Sequence, residues 1–362
     1  MDRTKHLLVF GANPVASNGS LMTAPGIRRR IDDLHSRSGR LVVLDPRRTE
    51  TAKIADEHVF GRPGTDIAVL LAMIKVVVAE RPRRLPEYMK GMDVVQAAIS
   101  NFTPEMASRY SRVPAKTIRR LALEFADADT AVCYGRIGVS TQRFGTLCNW
   151  AITLLNIVSG NFDSPGGAMF TEPAVDLINT TNAGHLGERR TRVRGLPSFG
   201  DEFPVSAMSE EMTTPGLGQI RGFITTCGNP VLSSPDGRAL DNALGNLEFM
   251  VSMDFYLNET TRHANLILPS TSALERDHYD LVFRAFAVRN TAKYSRAVFE
   301  KGPDAKHDWE IFRDLGKAYR RHHTSTSRWP TKNGIRQTVT SAGLRLPPEL
   351  SSTLVSGWES IR

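Results

Sequence analysis

Short apolar runs, each stopped by glycine, proline or an acid, set the rhythm of this chain. Leu7–Phe10 ends at Gly11-Ala12-Asn13-Pro14, and Leu41–Leu44 ends at Asp45-Pro46. Runs of this length without polar alternation suit strands buried on both faces of a parallel sheet. The interval between them, with Ala24–Ser38 at helical length, supplies the crossover helix of a β-α-β unit. Turn-forming and polar residues therefore gather at the carboxyl ends of the strands, the edge where open α/β sheets bind ligands.

The pattern recurs. Phe223–Thr226 ends at Cys227-Gly228-Asn229-Pro230, Pro235–Leu244 forms a second crossover helix, and Phe249–Met253 ends at Asp254. Asp45 is followed by Glu50-Thr51 and Ala55-Asp56; Asp254 is followed by Glu259-Thr260 and Ala264-Asn265 at matching spacing. This is an internal repeat, and it reads as two related nucleotide-type half-sites.

Between the repeats, Thr49 is placed to cap a short helix, and Val59-Phe60 makes a brief third strand. Pro63-Gly64-Thr65-Asp66 then turns into a helix over Ile67–Glu80 that is apolar on most faces. Gly64 and Asp66 thus stand at a helix N-terminus, where polar ligand atoms are readily held. Helices over Asp93–Ile99, Pro104–Ser108 and Pro114–Ala126 read as packing. Ala131–Tyr134 is a strand running into Gly135-Arg136-Ile137-Gly138 and a helix over Thr146–Ser159. Glu172–Pro215 lacks periodicity and reads as a long loop. Ala264–Pro269 predicts a strand and Trp309–Arg320 an amphipathic helix. The expected organisation is two α/β, Rossmann-like domains with mainly parallel sheets, 1–130 and 131–320, and an irregular tail, 321–362.

Composition narrows the partners. The 362 residues carry a formal charge of +8, with 41% hydrophobic and 23% charged residues. The positive balance favours anionic ligands. The basic residues are scattered, with short clusters at Arg28–Arg30, Arg81–Arg84 and Arg189–Arg194, which suits a solvated surface better than nucleic acid. Cys133, Cys148 and Cys227 fit no metal or redox spacing and suggest reduced thiols in a cytoplasmic protein. His185 and His263 have no ligand partners at metal spacing. No apolar run is long enough to span a membrane.

The candidate chemistry lies at the strand tips. An ionised carboxylate accepts two ribose hydroxyls at once, which selects Asp45 and Asp254. Arg47 and Arg48 are placed to meet phosphate or a base edge. Gly11, Asn13, Gly228 and Asn229 occupy turns whose backbone N–H groups can face a pyrophosphate. The Gly-x-Gly-x-x-Gly fingerprint is absent from both turns, which disfavours a nicotinamide cofactor. No general acid, base or nucleophile is identifiable, and no metal ligand.

The segments GANP, DPRRTETAKIAD, RPGTD, GRIGVSTQRFG, LNIVSGNFDSPGG, CGNP and MDFYLNETTRHANLILP, in this order and spacing, resemble the central part of the molybdopterin oxidoreductases, the dimethyl sulfoxide reductase superfamily. That group includes formate dehydrogenases, nitrate reductases and biotin sulfoxide reductases. The resemblance covers roughly residues 7 to 300. It implies two α/β domains related by a pseudo-twofold, each holding one molybdopterin guanine dinucleotide, with molybdenum or tungsten between the pterins. Gly11, Asn13, Asp45, Arg47 and Asp66 would contact one guanosine diphosphate arm. Gly228, Asn229, Asp254 and Glu259 would serve the other, with Gly135 and Gly138 near a pterin.

The chain also departs from that pattern. The expectation is a chain without a cysteine-rich segment for an iron–sulfur cluster, without a metal ligand ahead of the first strand, and without a carboxyl-terminal barrel. The expectation is a truncated or split oxidoreductase acting on a small molecule, with a separate chain carrying the iron–sulfur and carboxyl-terminal parts. A non-catalytic subunit or assembly module keeping the fold stays open as an alternative, as does an unrelated nucleotide-dependent α/β enzyme.

Overall fold

The computed structural model describes residues 1–19, 21–176, 186–200 and 202–322. His185 lies outside them. Of the expected tail, residues 321–322 end the last helix and the remainder lies outside the described residues. The chain divides into two units, Met1–Ala174 with Val282–Thr291, and Val175–Leu281 with Ala292–Arg362.

The first unit is built on four parallel strands, β1 (His6–Phe10), β2 (Arg40–Leu44), β3 (Glu57–Val59) and β4 (Ala131–Gly135), in the order β3-β2-β1-β4. Every residue of β1 is buried, as its unbroken apolar run requires. Leu8, Phe10, Val42 and Leu44 join one core with residues of α4 (Asp66–Glu80), α7 (Ala115–Asp127) and α9 (Gly145–Val158). Leu7, Val9, Leu41 and Val43 join another with Ile27, Ile31 and Leu34 of α2 (Ile27–Ser36). The strand period of two sorts alternate residues onto opposite faces. Three short helices, α1 (Pro14–Ser17), α3 (Glu50–Lys53) and α8 (Ile137–Ser140), follow strand ends, while α5 (Met92–Ala98) and α6 (Pro104–Ser111) lead to α7.

A break after residue 130 is not where the units part. β4 pairs with β1, Leu7 against Val132 and Val9 against Tyr134, so the strand expected to open the second domain completes the first sheet. Its outer edge is closed by side chains. Asn161 Oδ1 accepts from Ala131 N at 2.9 Å, and Asn156 exchanges bonds with both backbone groups of Cys133.

The second unit has a smaller parallel sheet, β5 (Gly222–Thr226), β6 (Phe249–Met253) and β7 (Leu266–Ile267). Met212 of α10 (Met208–Thr213) and Leu240, Ala243 and Leu244 of α12 (Gly237–Gly245) cluster with Met250 on one face. Between β5 and α12 lies α11 (Pro230–Ser233). The strand expected over Ala264–Pro269 shortens to two residues, because Ala264 still closes a 3-10 turn and Pro269 has no N–H to donate. The loop expected over Glu172–Pro215 contains α10. An antiparallel pair, β8 (His278–Tyr279) with β9 (Tyr294–Ser295), and α13 (Asp308–His322) complete the unit. Among the described residues no helix is long and apolar enough to cross a membrane.

Candidate functional site

In the first unit the site forms at the carboxyl edge of β1 and β2. Gly11 turns the chain at φ +52°, a left-handed conformation that costs glycine little. Its own N–H is committed to Leu44 O at 3.0 Å, so it cannot serve a ligand. The N–H groups of Ala12 and Asn13 meet no acceptor among the described residues. Pro14 then opens α1, where a missing N–H is harmless.

The Asn13 side chain faces inward. Its Nδ2 donates to Glu50 Oε2 at 2.6 Å, and its Oδ1 accepts from Thr51 N at 3.1 Å and Thr51 Oγ1 at 2.8 Å. Thr51 Oγ1 accepts from Val15 N at 3.1 Å, closing the ring, and Thr51 is fully buried. The Asn13 amide holds the Glu50 carboxyl below its usual range. Asp45 Oδ1 accepts from Arg47 N at 2.8 Å, and its other oxygen meets no donor among the described residues. Arg47 and Arg48 are exposed and form no ion pair among the described residues.

Asp66 lies across from Asp45 in a depression that Leu44, Pro46, Arg62 and Thr65 also line. Gln142 Nε2 donates to Asp66 Oδ2 at 3.0 Å, while Gln142 Oε1 is buried without a partner among the described residues. Burial pushes the Asp66 carboxyl up, and the charge of Asp45 adds to the shift. Gly64, at φ +77°, leads into α4 here.

Gly135 and Gly138 have a structural reason to be glycine. A Cβ on Gly138 would lie 2.7 Å from Gly11 O and 2.9 Å from Gly11 Cα, and Gly138 N donates to Gly11 O at 3.0 Å. A Cβ on Gly135 would strike Ile152 Cδ1. The two backbone turns meet where the strand order reverses, between β1 and β4.

The second unit repeats the arrangement. Cys227, exposed and at φ +49°, takes the place of Gly11, and its N–H is committed to Met253 O at 3.0 Å. The N–H groups of Gly228 and Asn229 meet no acceptor among the described residues. Asn229 Nδ2 donates to Glu259 Oε2 at 2.6 Å, Thr260 Oγ1 donates to Asn229 Oδ1 at 2.7 Å, and Val231 N donates to Thr260 Oγ1 at 3.1 Å. Asp254 Oδ1 accepts from Tyr256 N at 2.9 Å.

The two half-sites differ in their surroundings. Asp254 is 8% exposed, whereas Asp45 is half-buried. Exposed Phe255, Tyr256 and Leu257 stand where the first has Pro46, Arg47 and Arg48. Sequence reasoning passed over Ala12, Thr51, Thr260 and Gln142. The repeated Glu-Thr pair was the available signal for the threonines; Ala12 and Gln142 lie within the GANP and GRIGVSTQRFG segments, with no signal of their own.

A duplicated parallel α/β scaffold with an acid at each second-strand tip and uncommitted amides at the neighbouring turn is the class these features define. The chain belongs to the molybdopterin oxidoreductase family, whose model matches residues 1–318. It is 26% identical over 300 residues to the assimilatory nitrate reductase catalytic subunit of Bacillus subtilis, covering 76% of this chain and 41% of that one. It is 26% identical over 348 residues to formate dehydrogenase H of Escherichia coli, covering 90% and 47%. Acetylene hydratase from Pelobacter acetylenicus shares the fold, with a TM-score of 0.70 and 20% identity over 87% of this chain and 47% of that one. The chain therefore spans about half the length of these relatives.

Proposed function

We propose that the chain is the cofactor-binding body of a molybdopterin-dependent oxidoreductase, each unit holding the nucleotide arm of one molybdopterin guanine dinucleotide. The observation that carries this reading is the repeated pairing of uncommitted turn amides with a strand-tip carboxylate. The residues fit such a ligand. Ala12 and Asn13 in one unit, and Gly228 and Asn229 in the other, offer N–H donors to a diphosphate. Asp45 keeps an oxygen for ribose, and Asp254 is the matching acid. Arg47 and Arg48 supply charge toward phosphate, and Gly64 and Asp66 border the place for the base. Gly135 and Gly138 flank the pterin side. The bound group would supply two-electron transfer at molybdenum or tungsten. This chain's residues bind and orient it.

The substrate of such turnover would be a small molecule. The three free thiols suit a cytoplasmic setting. Metal and nucleotide analysis after anaerobic purification tests the reading. Molybdenum or tungsten together with guanine nucleotide released on denaturation is the expected result. A chain holding neither, alone or with a co-purifying subunit, points instead to a non-catalytic module that keeps the fold.

A further inference from the structure

Glu50 and Glu259 stand at the mouths of the two half-sites, where a carboxylate is an awkward neighbour for a phosphate. Each spends an oxygen on the amide of an asparagine, at 2.6 Å in both units. A carboxylate can only accept, so it forces the asparagine's NH2 toward itself and its oxygen toward the threonine. That oxygen takes the hydroxyl of Thr51 or Thr260, and the same hydroxyl receives Val15 N or Val231 N at 3.1 Å. The asparagine's carbonyl in turn accepts from Ala16 and Ser17, or from Leu232 and Ser233. The ring thus ties the turn after the first strand to the segment after the strand-tip acid. Thr51 and Thr260 are each fully buried, so the tie is shielded from water.

We infer that Glu50 and Glu259 are positioning residues that set the uncommitted turn amides through Asn13 and Asn229, and that they touch no ligand themselves. The inference rests on the nucleotide reading above. It extends that reading by separating the residues that contact the ligand from those that aim them.

The test uses the full chain, guanosine diphosphate as probe, and amide hydrogen exchange on the ligand-free protein. Glu50→Ala should speed exchange at Val15, Ala16 and Ser17 at least ~10-fold, because the ring opens locally. It should weaken guanosine diphosphate binding about 10-fold, the scale on which groups one step from a ligand act. Glu50→Gln keeps an acceptor for Asn13. Its exchange should stay within about 2-fold of the parent, and its binding should be equal or tighter, since a negative charge has gone.

Glu259→Ala and Glu259→Gln should behave alike at Val231, Leu232 and Ser233. If Glu50→Gln weakens binding as much as Glu50→Ala while exchange is unchanged, the carboxylate contacts the ligand and the inference is overturned. Unchanged exchange in Glu50→Ala overturns it as well. A parent protein that binds no guanosine diphosphate overturns the nucleotide reading itself, and is told apart because the exchange arm needs no ligand.

Discussion

The Asn156 carboxamide stands in for a missing strand beside Cys133. Its Oδ1 accepts from Cys133 N at 2.9 Å, and its Nδ2 donates to Cys133 O at 3.0 Å and to Ile152 O at 2.9 Å. Asn156 is 2% exposed, so no water replaces these bonds if the side chain is cut back. Asn156→Ala should therefore destabilise the protein by about 2–4 kcal/mol, the scale of several buried polar groups left unpaired. Asn149→Ala, on the exposed side of the same helix, should cost under about 1 kcal/mol. Denaturant unfolding of both variants decides it; equal losses would mean that the edge of β4 does not depend on Asn156.

The contact of Gly11 with Gly138 leaves no room for a methyl group. Gly138→Ala should cost about 2–4 kcal/mol, because backbone atoms, which cannot rotate away, stand in the path of the new Cβ. Gly26→Ala is the control. Gly26 also has a positive φ, +68°, but nothing among the described residues lies within 4 Å of the added carbon. It should lose only the conformational part, about 1 kcal/mol. Thermal melts that rank the two the other way would contradict the packing described.

His6 carries a pH signature. Burial, aided by the charge of Arg40, pushes its imidazole down to about 4 from the ordinary 6.5. It sits edge-on to Phe125, and its Nε2 is buried without a partner among the described residues. The unfolded chain takes up the proton first as pH falls, so this stability is complete above 6.5 and drains away toward 4. Between pH 7 and pH 5 the loss should be about 2 kcal/mol. In His6→Leu that part of the slope should vanish. Urea titrations at both pH values measure it, and identical slopes in parent and variant would refute it.

Asp66 shows the opposite sign. Its folded-state affinity for a proton is raised, so its contribution is present only at low pH and is lost as pH rises through the folded-state value. At pH 7 the ionised carboxylate is a net cost to the fold. Asp66→Asn should raise the melting temperature by about 2–4 °C while weakening guanosine diphosphate binding, a trade typical of ligand sites. A variant that loses stability at pH 7 would contradict the assigned direction.

The elements of the first unit were legible because each local signal agreed with the packing. Thr49 does cap α3 through Ala52 N, and the apolar Leu7–Phe10 run is buried on both faces. The repeat is visible in the Asn-Pro and Glu-Thr pairs of the sequence itself. Three things were hidden. The place of β4 beside β1 is a long-range pairing that periodicity does not encode. The two-residue strands β8 and β9 are too short to show alternation. The commitment of the Gly11 N–H to Leu44 depends on where the neighbouring strand ends, which the turn's own residues do not reveal.

The asparagine rings around Asn13 and Asn229 are alike although the interiors beside them differ in size and composition. Each turn is therefore shaped by a local lattice of bonds and is indifferent to which side chains fill the space behind it. The asparagine–proline and glutamate–threonine pairs form a portable module that could be grafted, as four residues, onto another parallel β-α-β unit.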